Sequence, residues 1–165
     1  MRLALQIASL RSARASILTV MRATAVFLGV AAVFASLVAL ILSGGVDEAR
    51  IEPLAAQVVM WGSVGVAAAG IVFIGRGGFG LLAGGALAVW LFRVTMRRML
   101  VAAAVGPVGL FVSWYSADRV WVIYGAGAAV VLISLVGPTT RRLQAWQEEA
   151  ADGVSVLEAL LLPYR

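Results

Sequence analysis

Residues 23–42 run for twenty positions without a charge, almost all of them Ala, Val, Leu, Phe or Ile. A helix rises ~1.5 Å per residue, so this run is ~30 Å long, the thickness of a bilayer's hydrocarbon core. Backbone amides inside lipid have no water to bond, and a helix pairs them within one segment. The run therefore fixes the solvent in which the chain folds. The expected fold class is all-α: a polytopic transmembrane helical protein.

The rest of the sequence agrees. Of 165 residues, 62% are hydrophobic and 13% are charged, against about 25% charged in soluble domains. Mean hydropathy is +1.01. The apolar residues come in blocks rather than in alternation, which is the pattern of spans. Four further runs follow, at residues 54–75, 77–92, 99–114 and 120–137. The stretch before residue 23 is long for a signal peptide, and the run itself exceeds a signal core. Residues 23–42 are therefore expected to stay as a span.

Arginine placement decides how many runs cross. Cytoplasmic loops accumulate basic residues. With the amino terminus inside, five crossings would scatter the arginines evenly over both faces. Four crossings, with 77–92 not crossing, leave only Arg50 and Arg119 outside. Arg76, Arg93, Arg97 and Arg98 then share the inner face with Arg2, Arg11, Arg14, Arg22, Arg141, Arg142 and Arg165. The expectation is four spans plus an additional apolar re-entrant or interfacial helix, with both termini cytoplasmic. The chain reads as a single membrane domain, 1–165. It comprises a basic amphipathic helix at 1–22, a bundle at 23–137 and a cytoplasmic amphipathic tail at 138–165. Trp114, Tyr115, Trp121 and Tyr124 surround the short outer turn, where amphipathic rings favour the interface. Pro107 should bend its span.

The run 77–92 has no polar face, so it needs cover from lipid, from its own bundle or from another protein. Gly80, Gly84 and Ala88 recur every four residues and make one helix stripe on which a second backbone can approach closely. Comparable stripes are Ala25/Gly29, Gly65/Ala69 and Gly125/Ala129, expected to pack inside the bundle. In the tail, Thr139 and its neighbours can cap a helix. Leu143 and Trp146 give that helix a narrow apolar stripe. Val154, Leu157 and Leu161 share one side of a second short helix. Leu143, Trp146, Leu157 and Leu161 are the candidate partner-docking residues; packing on the chain's own bundle is the alternative.

The sequence offers little chemistry. It lacks Cys, His, Lys and Asn. This excludes disulfides, thiolate metal sites, cysteine nucleophiles and the commonest general base. No catalytic, metal or cofactor residue is expected, and the chain does not read as an enzyme. The exclusive use of Arg, beside abundant Ala and Gly, suggests a GC-rich bacterial genome, hence a bacterial plasma (inner) membrane. The net charge of +5 does not form a nucleic-acid face, because the arginines flank apolar runs. Arg93, Arg97 and Arg98 form the candidate lipid-headgroup cluster, with anionic lipids as partners. Gln57, one turn inside the second span, should bond between helices. Ser36, Ser63, Ser113 and Ser134 can bond back to their own helices.

The expected role is an accessory subunit that packs on and stabilises a larger membrane complex, such as a transporter, secretion or respiratory assembly. The alternative is a self-assembling small transporter or channel lined by Gln57, serines or glycine backbone.

Overall fold

The structure, a computed structural model, describes residues 16–42, 49–75, 82, 84–150 and 155–161. Among them the chain is helical, with no strand. Helix α1 covers Ile17–Leu42 and α2 covers Pro53–Phe73. Helices α3, Gly84–Ala103, and α4, Val105–Ser116, follow end to end. Helix α5 covers Val120–Val136, α6 Thr140–Glu149 and α7 Val156–Leu160.

Local chemistry sets the ends. The Ser16 hydroxyl accepts from the Thr19 amide at 3.2 Å and opens α1. Pro53 occupies the first turn of α2, where a missing N–H costs nothing. That helix stops at Gly75, whose φ of +84° is the left-handed conformation glycine supplies. Pro107 has no N–H for the carbonyl of Ala103, and its ring crowds that carbonyl. The break falls there, at the single residue Ala104. Thr139 caps α6 by accepting from Arg142 N at 3.4 Å, as its sequence position suggested. Ser155 caps α7 through Glu158 N at 3.2 Å.

Among the described residues three rods are long and apolar enough to cross a membrane: Ile17–Ile41, Pro53–Phe73 and Gly85–Ser116; α5 joined to α6 across a 43° bend makes up to four. By itself α5 has 17 residues, the lower limit for a span. This is the polytopic all-α fold expected from hydropathy.

The additional apolar helix takes a different form from the separate re-entrant or interfacial element that the sequence suggested. Apart from Leu82, the described part of 77–92 is the start of α3, which runs through Arg93, Arg97 and Arg98 without a turn. Two separate crossings by 77–92 and 99–114 would need a reversal between Phe92 and Met99, and none exists. Arginine breaks a hydropathy window but is a good helix former, which is why charge suggested a boundary that the backbone ignores. The 32-residue rod is ~48 Å long, against ~30 Å of hydrocarbon. Counted back from Ser116, a span of ordinary length ends near Arg97. About a dozen residues of α3 then project beyond it.

Helix α5 is central, packing on α4, α1 and α3; α2 lies on α4 and α3. The closest approach is between α4 and α5. A Cβ added to Gly109 would stand 2.6 Å from both Gly125 Cα and Trp121 O, and one on Gly125 would stand 2.7 Å from Gly109 Cα. The two backbones touch there, and only glycine at both positions permits it. The Gly125/Ala129 stripe is internal, as expected: both residues are buried.

The projecting start of α3 is roofed by the chain itself. Leu87, Ala88 and Leu91 are buried with Ile17, Leu18 and Met21 of α1, Trp146 of α6, and Val156, Ala159 and Leu160 of α7. Of the amphipathic segment 1–22, residues 1–15 lie outside the described residues. Residues 17–22 belong to α1 itself, so Ile17 and Met21 seal this cap as part of the span helix.

Candidate functional site

Of the stripe Gly80/Gly84/Ala88, Gly80 lies outside the described residues, Gly84 opens α3, and Ala88 is fully buried in the cap. Ala88 therefore lies in a core made by this chain itself, where α3 packs on α1 and α7. Other small residues leave open space beside them instead. Gly29 on α1 and Gly62 and Gly65 on α2 have no atom within 4 Å of an added Cβ. Gly65 and Ala69 are both exposed. The Gly65/Ala69 stripe, expected inside the bundle, thus faces outward, because α2 turns Ala56, Met60, Ala67 and Ile71 inward.

The arginine cluster divides in two. Arg93 and Arg97 are exposed one turn apart on α3. Arg98 turns back and donates from Nε to the Ile74 carbonyl at 2.8 Å. That carbonyl lies at the end of α2, where a cation also favours the helix dipole. Arg98 thus ties α2 to α3, while Arg93 and Arg97 stay on the exposed face of α3. Arg142 does the same for α5, donating from Nε to Leu135 O at 3.2 Å.

The docking candidates divide similarly. Trp146 is buried and Leu143 packs beside it in the cap. Leu157 and Leu161 remain 50% and 41% exposed. The inward face of α7 is Val156, Ala159 and Leu160 rather than the Leu157/Leu161 side; Val154 lies outside the described residues. A hydrogen bond from Val156 N to the Gln147 side-chain carbonyl at 2.8 Å fixes this rotation.

Gln57 is exposed on α2 and makes no hydrogen bond with another described residue, in contrast to the interhelical bond expected. One turn from Pro53 it lies at interface depth, where water serves its amide. Ser36, Ser63 and Ser134 bond back to carbonyls of their own helices at 2.7–2.8 Å. Ser113 is buried.

The opposite end is held by backbone and rings. Arg50 N and Ile51 N both donate to Tyr115 O, at 2.7 and 3.2 Å. Tyr124 stands 6.1 Å from Trp61 and 5.8 Å from Trp121 between ring centroids, joining α2 to α5. Ala117 makes the turn into α5 at φ 55°. Trp121, expected at the interface, is buried, while Trp114 and Tyr124 are exposed.

A feature that sequence reasoning missed is a groove of about 820 Å³ between α1 and the end of α5, lined from Arg22 to Leu37 and from Val130 to Thr139. Its only hint in the sequence is Gly29, which leaves the α1 wall low. Among the described residues no three acidic side chains gather to hold a metal.

Comparison with protein-family models, with curated proteins and with solved structures returns no match.

Proposed function

We propose that this chain is a small accessory subunit of a larger bacterial plasma-membrane complex, with both termini cytoplasmic. The supporting observation is the unequal use of its small residues. Gly109 and Gly125 are consumed by an internal contact, while Gly62 and Gly65 lie open on α2. Without a hydrophobic drive between helices in lipid, close packing at small residues is what holds helices together. Only 6% of the most apolar window of α1 is buried, against 33% in the Gly85–Ser116 rod. The outer flanks of the bundle therefore offer tight-packing surface to another helix.

The test is purification from native membranes in mild detergent. The expected result is a stoichiometric membrane partner, lost in a Gly62→Leu/Gly65→Leu double variant that still folds. Recovery of a lone stable chain would contradict the proposal. Recovery of a homo-oligomer that conducts ions in vesicles would favour the self-assembling channel instead.

A further inference from the structure

We infer that the groove between α1 and α5 is a binding site for one anionic phospholipid, with an acyl chain along the groove and its phosphate at Arg22. The inference needs only that the bundle lies in a membrane, and it stands whether or not the chain has a protein partner.

The groove is one-ended in its chemistry. Its walls are apolar along Val26, Val30, Val33 and Phe34 of α1 and Val130 and Ile133 of α5. Gly29 contributes no side chain, and nothing lies within 4 Å of where one would begin. The polar groups gather at one mouth. Arg22 is there, exposed and without a hydrogen bond or ion pair to any described residue. Thr139 lines the same groove, and the two walls meet where Gly137 approaches Ala25, 3.8 Å from an added Cβ to the Ala25 methyl. The Thr139 oxygen accepts from Arg142 N, which leaves its hydroxyl proton to donate. Ser134 is already committed to the Val130 carbonyl. Among the described residues no carboxylate lines the groove, and the groups that face an anion there are a cation and a donor.

Depth selects a lipid over a helix. The groove has two walls only over part of its depth: the α1 wall continues from Arg22 to Leu37 over ~22 Å, while the helical part of the α5 wall, Val130 to Val136, covers ~9 Å at helical rise, within the ~15 Å of a single leaflet. A partner helix crossing the bilayer would need a channel of twice that depth. A guanidinium is suited to phosphate, which it meets with two parallel hydrogen bonds. Arg22 begins the uncharged part of α1, so it stands where hydrocarbon gives way to headgroups.

The test uses the purified full chain in detergent, titrated with dioleoyl phosphatidylglycerol or dioleoyl phosphatidylcholine, with thermal unfolding as readout. The expected result is stabilisation at roughly fivefold lower phosphatidylglycerol than phosphatidylcholine, the preference one interfacial cation supplies. Arg22→Gln should abolish the preference and Arg119→Gln should leave it intact. Gly29→Leu, which fills open space, should weaken the response to both lipids. Equal responses of the parent chain to both lipids, or an unchanged preference in Arg22→Gln, would overturn the inference. A photo-crosslinking residue in place of Val30 gives a second reading in native membranes. A phosphatidylglycerol adduct supports the site, whereas an adduct only to protein overturns it.

Discussion

The cap at the start of α3 and the seam between α4 and α5 are both buried, yet they are built from opposite kinds of residue. The cap interleaves Met21, Leu87, Leu91, Trp146 and Leu160. The seam brings Gly106 and Gly109 against Gly125 and Ala129. The medium outside each region accounts for the difference. The rod is longer than the hydrocarbon slab, so the cap lies where water surrounds the protein and burying large side chains is favourable. The seam lies in lipid, where a leucine gains nothing by leaving acyl chains for another helix. There, close backbone contact at small residues supplies the stabilisation. One chain of 165 residues thus uses two folding forces at its two levels.

The largest expected effect breaks the seam. Gly125→Leu drives a side chain into the backbone of α4, and backbone cannot swing aside. The loss should exceed the ~1–3 kcal/mol usual for overpacking. It would be read as a failure of the 105–136 hairpin to protect its amides from exchange. Leu87→Ala breaks the cap instead. It should cost about 2–4 kcal/mol, as for other fully buried leucines, measured by thermal unfolding in detergent. Its effect should be confined to α6, α7 and the ends of α1 and α3, leaving the seam protected.

A smaller effect sharpens how the two levels are joined. Arg98→Leu removes the hydrogen bond to Ile74 O and should cost about 1–2 kcal/mol. Arg97→Leu, on the exposed face, should stay within about 0.5 kcal/mol. Equal costs would mean that both arginines act only through lipid. The smallest effect is a gain. Ala117 holds φ 55° with a Cβ that this conformation penalises, so Ala117→Gly should stabilise the turn by up to about 1 kcal/mol.

Hydropathy alone made the spans legible, because lipid demands a long uninterrupted run. The Thr139 cap and the Gly125/Ala129 stripe were legible because their signals are local. Four things were not. Arg93, Arg97 and Arg98 end an apolar run in composition but not in backbone, since long side chains can reach headgroups from a continuing helix. The stripe at Gly65 has the same spacing as that at Gly125, and spacing does not say which way a helix is rotated. Gly109 gave no periodic signal of its own, and its importance comes entirely from the residue opposite. The rotation of α7 depends on the bond from Val156 N to Gln147, across a segment with no periodicity linking the two.

The central claim is that the chain passes through the membrane once between Gly84 and Ser116, and in the orientation we propose the start of α3 is on the cytoplasmic side. The sequence contains no cysteine, so a single introduced thiol reports its own location. Val89 on α3 and Ala49 before α2 are both exposed, and neither carries charge. Intact cells expressing Val89→Cys or Ala49→Cys would be treated with a membrane-impermeant maleimide. The account expects labelling at position 49 in intact cells, and at position 89 only after the membrane is opened. Labelling of Val89→Cys from outside would contradict it.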